Sequence, residues 1–60
     1  MKCFGVKTKK GYLANQGDNH WFQDEPKGWG LFTAKDGAKR AADFYLEEGS
    51  EYEIIEVEYQ

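Results

Sequence analysis

One stretch of this 60-residue chain, from Thr33 to Gly49, carries a complete set of helix signals. Thr33 is a suitable N-cap residue, and Asp36 three positions later is a short counterpart of the acidic partner in a capping box. Gly49 is the residue type that commonly ends a helix in the left-handed conformation. The sequence therefore predicts one helix in this stretch, as the only helix of the domain.

The apolar face of this helix is made of small residues. At 100° per residue, one face collects four alanines and a tyrosine: Ala34, Ala38, Ala41, Ala42 and Tyr45. Small side chains let a helix approach a flat partner closely, and we expect Phe44 and Leu46, at the margins of the face, to grip the edges of that partner. A β-sheet fits this description better than a second helix does.

Strand and turn patterns account for the first half of the chain. Residues 2–8 alternate, with Phe4 and Val6 on one face, and a three-residue basic turn, 9–11, with Gly11 at positive φ leads to a second strand. Turn-forming residues at 15–19 end that strand, and residues 20–22 form either a brief aromatic strand or a continuation of the sheet after a bulge. The segment 25–28 has Pro at its second position and Gly at its fourth, which predicts a type I turn.

The strongest strand pattern lies at residues 51–59. Tyr52 and Ile54 share one face, whereas Ile55, Val57 and Tyr59 share the other, so the strand either contains a bulge near Ile54 or is central and covered on both faces. Together these patterns predict a single α+β domain. We expect a small antiparallel sheet of three to four strands with one α-helix packed across one face, in the order ββ(β)αβ.

Charge is distributed unevenly along the chain. Residues 1–40 hold all eight Lys and Arg residues and carry a net charge of +4, whereas residues 41–60 carry −7, which gives −3 overall. Opposite charges on facing strands stabilise a sheet, so the two halves are expected to pair in space. The alternative is an acidic surface that binds a basic partner or mimics nucleic acid, formed by Glu51, Glu53, Glu56 and Glu58.

Catalytic, metal and cofactor motifs are lacking in this sequence. Cys3 and His20 are the only residues of their types, too few for a structural zinc site, and no phosphate-binding or dinucleotide-binding glycine pattern occurs. A pairing of Cys3 with His20 for nucleophilic catalysis has no motif behind it. We therefore expect a non-enzymatic protein without a cofactor.

The same composition indicates a compartment. A single cysteine excludes an internal disulfide and suits a reducing environment. No apolar run of signal-peptide or membrane-spanning length follows Met1, so a cytoplasmic protein without a membrane partner is expected.

Protein binding is the function that the sequence favours. One helix covers only one face of a sheet, so apolar residues of the second face are available for another copy of the chain or for a different protein. The candidate contact residues are Trp21, Trp29, Tyr52 and Ile54, and the glycines on both sides of Trp29 make its indole either a lid on the core or an exposed handle. The alternative is single-stranded nucleic acid bound by a basic hairpin with nearby rings, using Lys7, Lys9 and Lys10.

The order of these elements resembles a loose class of very short proteins encoded by bacteriophages and prophages. The matching segments are Gly11-Tyr12-Leu13, Trp21, Phe32-Thr33, Ala41-Ala42 and residues 52–57. Members of this class with an assigned role are typically inhibitors or adaptors of a host protein. The resemblance thus implies a binding function and assigns no site residue.

Overall fold

The computed structural model describes residues 1–58 and has one sheet and one α-helix. The strands are antiparallel and lie in the order β3-β2-β1-β4, which confirms the predicted α+β fold with the helix between the third and fourth strands. In chain order the elements are β1 (Lys2–Thr8), β2 (Gly11–Gln16), β3 (Asn19–Gln23), a short 3-10 helix (Gly28–Gly30), α1 (Lys35–Tyr45) and β4 (Tyr52–Glu58).

The core lies between α1 and one face of the sheet. Ala38, Ala41 and Ala42 are buried against Val6 and Leu13, so the predicted alanine face is the one that meets the strands. Partly buried side chains surround this centre: Phe4, Phe22, Phe32, Tyr45, Leu46, Tyr52 and Ile54. Because alanine adds little volume, the aromatic and branched residues of the sheet contribute most of the apolar surface removed from water.

The predicted capping box at the start of α1 is wrong. The helix begins at Lys35, with Ala34 in the extended N-cap position and without a side-chain cap. Phe32 explains the shift, because its N–H and C=O form two 2.8 Å hydrogen bonds with the C=O and N–H of Phe4. This bridge holds the chain extended next to β1 at Phe32. The chain therefore changes direction at Thr33 and Ala34, and the helix begins only at Lys35.

The end of α1 also differs from the prediction. The chain is already extended at Leu46, and Gly49, with φ of 86°, lies in a separate turn in which the Ser50 N–H donates to the Glu47 carbonyl at 3.0 Å. Leu46 packs on the core as expected, but Phe44 is 76% exposed. Phe44 lies roughly a third of a turn away from the alanine face, which is too far to reach the sheet.

Strand β4 pairs with β1 without a bulge. Seven consecutive pairs run from Lys2 opposite Glu58 to Thr8 opposite Tyr52, and β4 is an edge strand rather than a central one. Both of its faces are nevertheless partly covered, since Ile54 packs under the helix and Ile55 contacts the opposite side of β1 at Gly5. Tyr59 lies outside the described residues.

Candidate functional site

The face of the sheet opposite α1 is covered in part by the chain itself. The segment 24–31 crosses this face so closely that a Cβ atom on Gly30 would lie 3.4 Å from the Leu13 carbonyl oxygen. A Cβ atom on Gly5 would lie 3.3 Å from Pro26 Cβ and 3.5 Å from Ile55 Cγ1. The second face is therefore not a bare apolar surface, because this segment packs on its centre.

Gln23 attaches this segment to the sheet. Its side-chain amide donates to the carbonyls of Glu25 and Lys27 at 3.2 and 2.9 Å, and its amide oxygen accepts a 3.0 Å hydrogen bond from Trp21 Nε1. The predicted type I turn at residues 25–28 is wrong, since Lys27 is extended, with φ −147° and ψ 161°. The Glu25 carbonyl, which would accept from the Gly28 N–H in a closed type I turn, accepts from Gln23 Nε2 instead.

Trp29 lies at the tip of this segment, in the 3-10 turn Gly28–Gly30. The turn is closed by Gly30 N–H donating to the Lys27 carbonyl at 2.9 Å and by Leu31 N–H donating to the Gly28 carbonyl at 3.2 Å. The indole itself is 56% exposed, so it is available for contact with a partner and does not cover the core. A large aromatic side chain is thus presented to solvent by a backbone that is hydrogen-bonded on both sides of it.

Replacing Gln23 by alanine is expected to loosen this turn. The change removes three hydrogen bonds, each with a net contribution of about 0.5–1.5 kcal/mol, reduced here because two of them are exposed. We expect a loss of about 1–2 kcal/mol in the free energy of unfolding, together with faster amide exchange at Gly30 and Leu31, measured by NMR.

The matched control for this change is Gln16→Ala, at an exposed glutamine of the neighbouring strand. It should leave the free energy of unfolding and the amide exchange rates of Gly30 and Leu31 unchanged. Equal exchange rates at Gly30 in the Gln23→Ala variant and the wild type would show that the turn does not depend on Gln23.

The other three predicted contact residues are less exposed than Trp29. Trp21 is half-buried on the same side of the sheet as Gln23, whereas Tyr52 and Ile54 pack at the rim of the core beneath α1. The Tyr52 hydroxyl donates to Asp43 Oδ1 at 3.2 Å. Partial burial and then the nearby Asp43 carboxylate raise the pKa of Tyr52 above its ordinary value of 10.0, so the hydroxyl remains a donor at neutral pH.

Cross-strand pairing accounts for much of the charge asymmetry. Lys2 Nζ lies 3.3 Å from Glu56 Oε1, and Lys9 Nζ lies 3.6 Å from Glu51 Oε2. The N-terminal ammonium group lies 3.4 Å from Glu58 Oε1, and Lys7 is directly opposite Glu53 in the β1–β4 register. The basic first strand and the acidic last strand are therefore neighbours, as the sequence predicts.

These ion pairs are exposed and contribute little to stability. Exposed pairs are typically worth about 0–1 kcal/mol because solvent screens them and ordering long side chains costs entropy. They nevertheless engage four of the seven charged residues that the two nucleic-acid hypotheses would use: Lys9, Glu51, Glu56 and Glu58. Lys10 lacks such an ion pair in the described chain, and its Nζ lies 5.8 Å from the ring centre of Phe22.

A groove of about 470 Å³ opens beside the β1–β2 hairpin. His20 and Tyr45 stack in it with ring centres 5.0 Å apart, and the Tyr45 hydroxyl donates to the Gly17 carbonyl at 2.7 Å. Lysines and glutamates both line the groove: Lys9, Lys10, Glu47 and Glu51. This mixture of charges selects no single sign of ligand.

Cys3 and His20 are not brought together. Cys3 is buried in β1 on the face away from the helix, whereas His20 is exposed in β3 on the other face, with β2 between the two strands. Within residues 1–58, no group of three or more His, Cys, Asp or Glu side chains could hold a metal ion. Gln23 forms three side-chain hydrogen bonds, which connect the Trp29 turn to Trp21.

Phe44 is an exposed aromatic residue that the sequence did not single out as a contact residue. It packs edge-to-face on Tyr45, with ring centres 4.8 Å apart, on the helix side of the molecule. The helical periodicity contains the signal, because Phe44 is displaced from the alanine face. Trp29 lies on the opposite side of the sheet, so these two aromatic residues do not form one patch.

Comparison with protein-family models, curated proteins and solved structures gives no match for this chain. The helix of the described residues is too short to cross a membrane. The geometry of the exposed residues is therefore the basis on which a function is assigned.

Proposed function

We propose that this protein is a small, non-enzymatic cytoplasmic domain that acts by binding another protein, with Trp29 as its main anchor. The observation that supports the proposal most directly is the exposed indole on a hydrogen-bonded turn. The resemblance to short phage proteins adds a role, that of an inhibitor or adaptor of a host protein.

Rigid presentation of Trp29 favours binding. Tryptophan is enriched among the residues that dominate interface energetics, and a side chain with two rotatable bonds loses little entropy when it is fixed. The hydrogen bonds from Gln23, Gly30 and Leu31 order the turn before any partner arrives. Preorganisation of this kind increases affinity because the ordering cost is already met in the free protein.

The surface around the second face can extend such an interface. Ile55 and Val57 of β4 point to this face and are half-buried, and Ile55 lies against Gly5 next to the Trp29 segment. An apolar centre with polar residues around it is the usual composition of a specific protein interface. Lys27 and Glu53 are exposed neighbours of this region in the chain and contribute a polar margin.

Replacing Trp29 by alanine is the direct test. The side chain is mostly exposed, so we expect a change of less than about 0.5 kcal/mol in the free energy of unfolding. Ligands selected with the wild-type protein from a displayed library of peptides and small domains should bind the variant at least about 30-fold more weakly, which corresponds to about 2 kcal/mol. Binding is measured by isothermal titration calorimetry.

Phe44→Ala is the matched control, because Phe44 is an exposed aromatic residue on the other side of the molecule. It should leave the affinity of the same ligands within about threefold of wild type, since side chains outside the contact contribute little. If no ligand is selected, or if both variants bind equally well, Trp29 is not the anchor.

The two nucleic-acid hypotheses have less support from the geometry. Lys9 is held by Glu51, Lys7 is opposite Glu53, and Trp21 points to the face opposite Phe22. Lys10 does lie against Phe22, but Glu47 and Glu51 line the same groove and oppose the binding of a phosphate backbone. The acidic surface is interrupted in the same way, because Glu51, Glu56 and Glu58 each lie within ion-pair distance of an ammonium group.

A further inference from the structure

Within residues 1–58, no strand pairs with the outer edge of β4, which is seven residues long. Strand β4 is the last strand of the sheet, and its partner β1 lies on one side only. Unpaired N–H and C=O groups of an edge strand are a template for another strand. The direction in which each residue of β4 points its backbone groups therefore decides what the edge can bind.

The β-bridge between Phe4 and Phe32 shows which residues of β4 point their N–H and C=O groups outward. The N–H and C=O of Phe4 are bonded to Phe32, so they point away from β4. In two antiparallel strands, pairs of facing residues that are hydrogen-bonded to each other alternate with pairs that are not. A residue whose N–H and C=O point away from the neighbouring strand belongs to a pair that is not, and the residue facing it also points its N–H and C=O away. Glu56 is opposite Phe4, and it therefore points its own N–H and C=O outward.

Alternation extends this assignment along the strand. Glu53, Ile55 and Val57 bond to β1, whereas the outward groups belong to Tyr52, Ile54, Glu56 and Glu58. The Tyr52 hydroxyl is bonded to Asp43 of α1, and the Ile54 side chain is under the helix, so the strand is held in place on its inner face. The free edge is thus a fixed row of donors and acceptors.

The charges next to this edge select its ligand. Glu53, Glu56 and Glu58 are exposed, and the strand that already pairs with β4 is basic, with Lys2 bonded to Glu56 and Lys7 opposite Glu53. A second copy of β4 would bring two sets of glutamates together, and like charges on facing strands are destabilising. Strand β3, at the other edge, has five residues and no Lys, Arg, Asp or Glu to select a partner.

We propose that the open edge of β4 binds an extended segment of a partner protein in which lysine or arginine alternates with apolar residues. The segment adds a fifth strand, hydrogen-bonded to Ile54 and Glu56, with its cations on the helix side near Glu56 and Glu58. Its apolar side chains extend the surface formed by Ile55 and Val57. This inference rests on the proposed protein-binding function and names the chemistry of the partner.

Two synthetic peptides of equal length test the proposal. One alternates lysine with valine, and the other alternates glutamate with valine. The lysine peptide should slow amide exchange of Ile54 and Glu56 at least tenfold, should leave the already bonded amides of Ile55 and Val57 unchanged, and should lose this effect at high salt. The glutamate peptide should protect neither residue. Protection by both peptides, by neither, or at β3 instead would overturn the proposal.

Variants at Glu56 separate the backbone from the charge. Glu56→Pro removes an outward N–H together with the carboxylate, so it is compared with Glu56→Gln, which removes the charge alone. Proline is tolerated on an edge strand where that N–H faces solvent, so Glu56→Pro should keep the fold and show clearly less peptide-dependent protection of Ile54 than Glu56→Gln does. Glu56→Lys keeps the N–H and should reduce protection by the lysine peptide at least threefold. If the lysine peptide protects Ile54 equally in Glu56→Lys and in wild type, charge does not select the ligand.

The Trp29→Ala variant keeps this test distinct from the one for the proposed function. It should retain the protection of Ile54 and Glu56 by the lysine peptide, because the indole is not part of the edge. Ligands that depend on Trp29 but never protect Ile54 would refute the edge proposal and leave the protein-binding function intact. Protection of Ile54 and Glu56 by the lysine peptide, with no ligand that depends on Trp29, would refute Trp29 as the anchor and leave the edge proposal intact.

Discussion

A Leu13→Ala variant is expected to lose a large part of the stability of the protein. Leu13 is 0% exposed and is one of the two largest fully buried side chains, packed with Val6 and the alanines of α1. Removing such a side chain costs about 2–5 kcal/mol, through lost burial and the cavity left behind. A 60-residue domain has about 3–9 kcal/mol in total, so one change of this size consumes most of it.

Urea unfolding followed by circular dichroism measures this loss. Leu46→Ala is the control, because Leu46 is half-buried and packs at the rim of the same core. It should cost clearly less than Leu13→Ala, since less apolar surface returns to water. Equal losses for the two variants would contradict the placement of the core centre at Leu13.

A Gly11→Ala variant is expected to disrupt the pairing of β3 with the first residues of β2. Gly11 has φ of 125°, a conformation that L-residues avoid, and a Cβ atom there would lie only 2.6 Å from the Gln23 carbonyl oxygen. The contact is with backbone, which cannot rotate away as a side chain can. Strain of about 1–3 kcal/mol therefore adds to a clash that is relieved only by moving β3 away from β2.

Gly17→Ala distinguishes the clash from the strain. Gly17 also has positive φ, at 60°, but a Cβ atom there would meet no atom within 4 Å. It should cost only about 1–2 kcal/mol, the price of the left-handed conformation. Thermal unfolding of both variants measures the difference, and a Gly11→Ala variant as stable as Gly17→Ala would show that the strands accommodate the extra carbon without loss.

Local patterns in the sequence predicted the elements of the fold. The alanine face of the helix, the alternation in β1 and the positive φ of Gly11 are features of neighbouring residues, and each is confirmed. The three-residue turn is wrong, because Gly11 pairs with Thr8 and only Lys9 and Lys10 form the loop. The pairing of a basic first strand with an acidic last strand is also visible in the sequence, because opposite charges favour that neighbourhood.

Contacts between distant residues decided what the local patterns could not. The start of α1 depends on the bridge between Phe4 and Phe32, and the path of residues 24–31 depends on the hydrogen bonds of Gln23. The choice between a bulge and two partly covered faces in β4 depends on its register with β1.

The residues of the candidate site also depend partly on local sequence and partly on tertiary contacts. The sequence by itself determined the residue types that could make contacts, including Trp29 between two glycines, and the helix and strands that carry them. The tertiary structure alone decided that Trp29 is exposed, that Tyr52 and Ile54 pack under the helix, and that Ile54 and Glu56 point their backbone groups outward. Periodicity within a few residues sets the local conformation, whereas exposure and strand pairing depend on which distant segment arrives next to each residue.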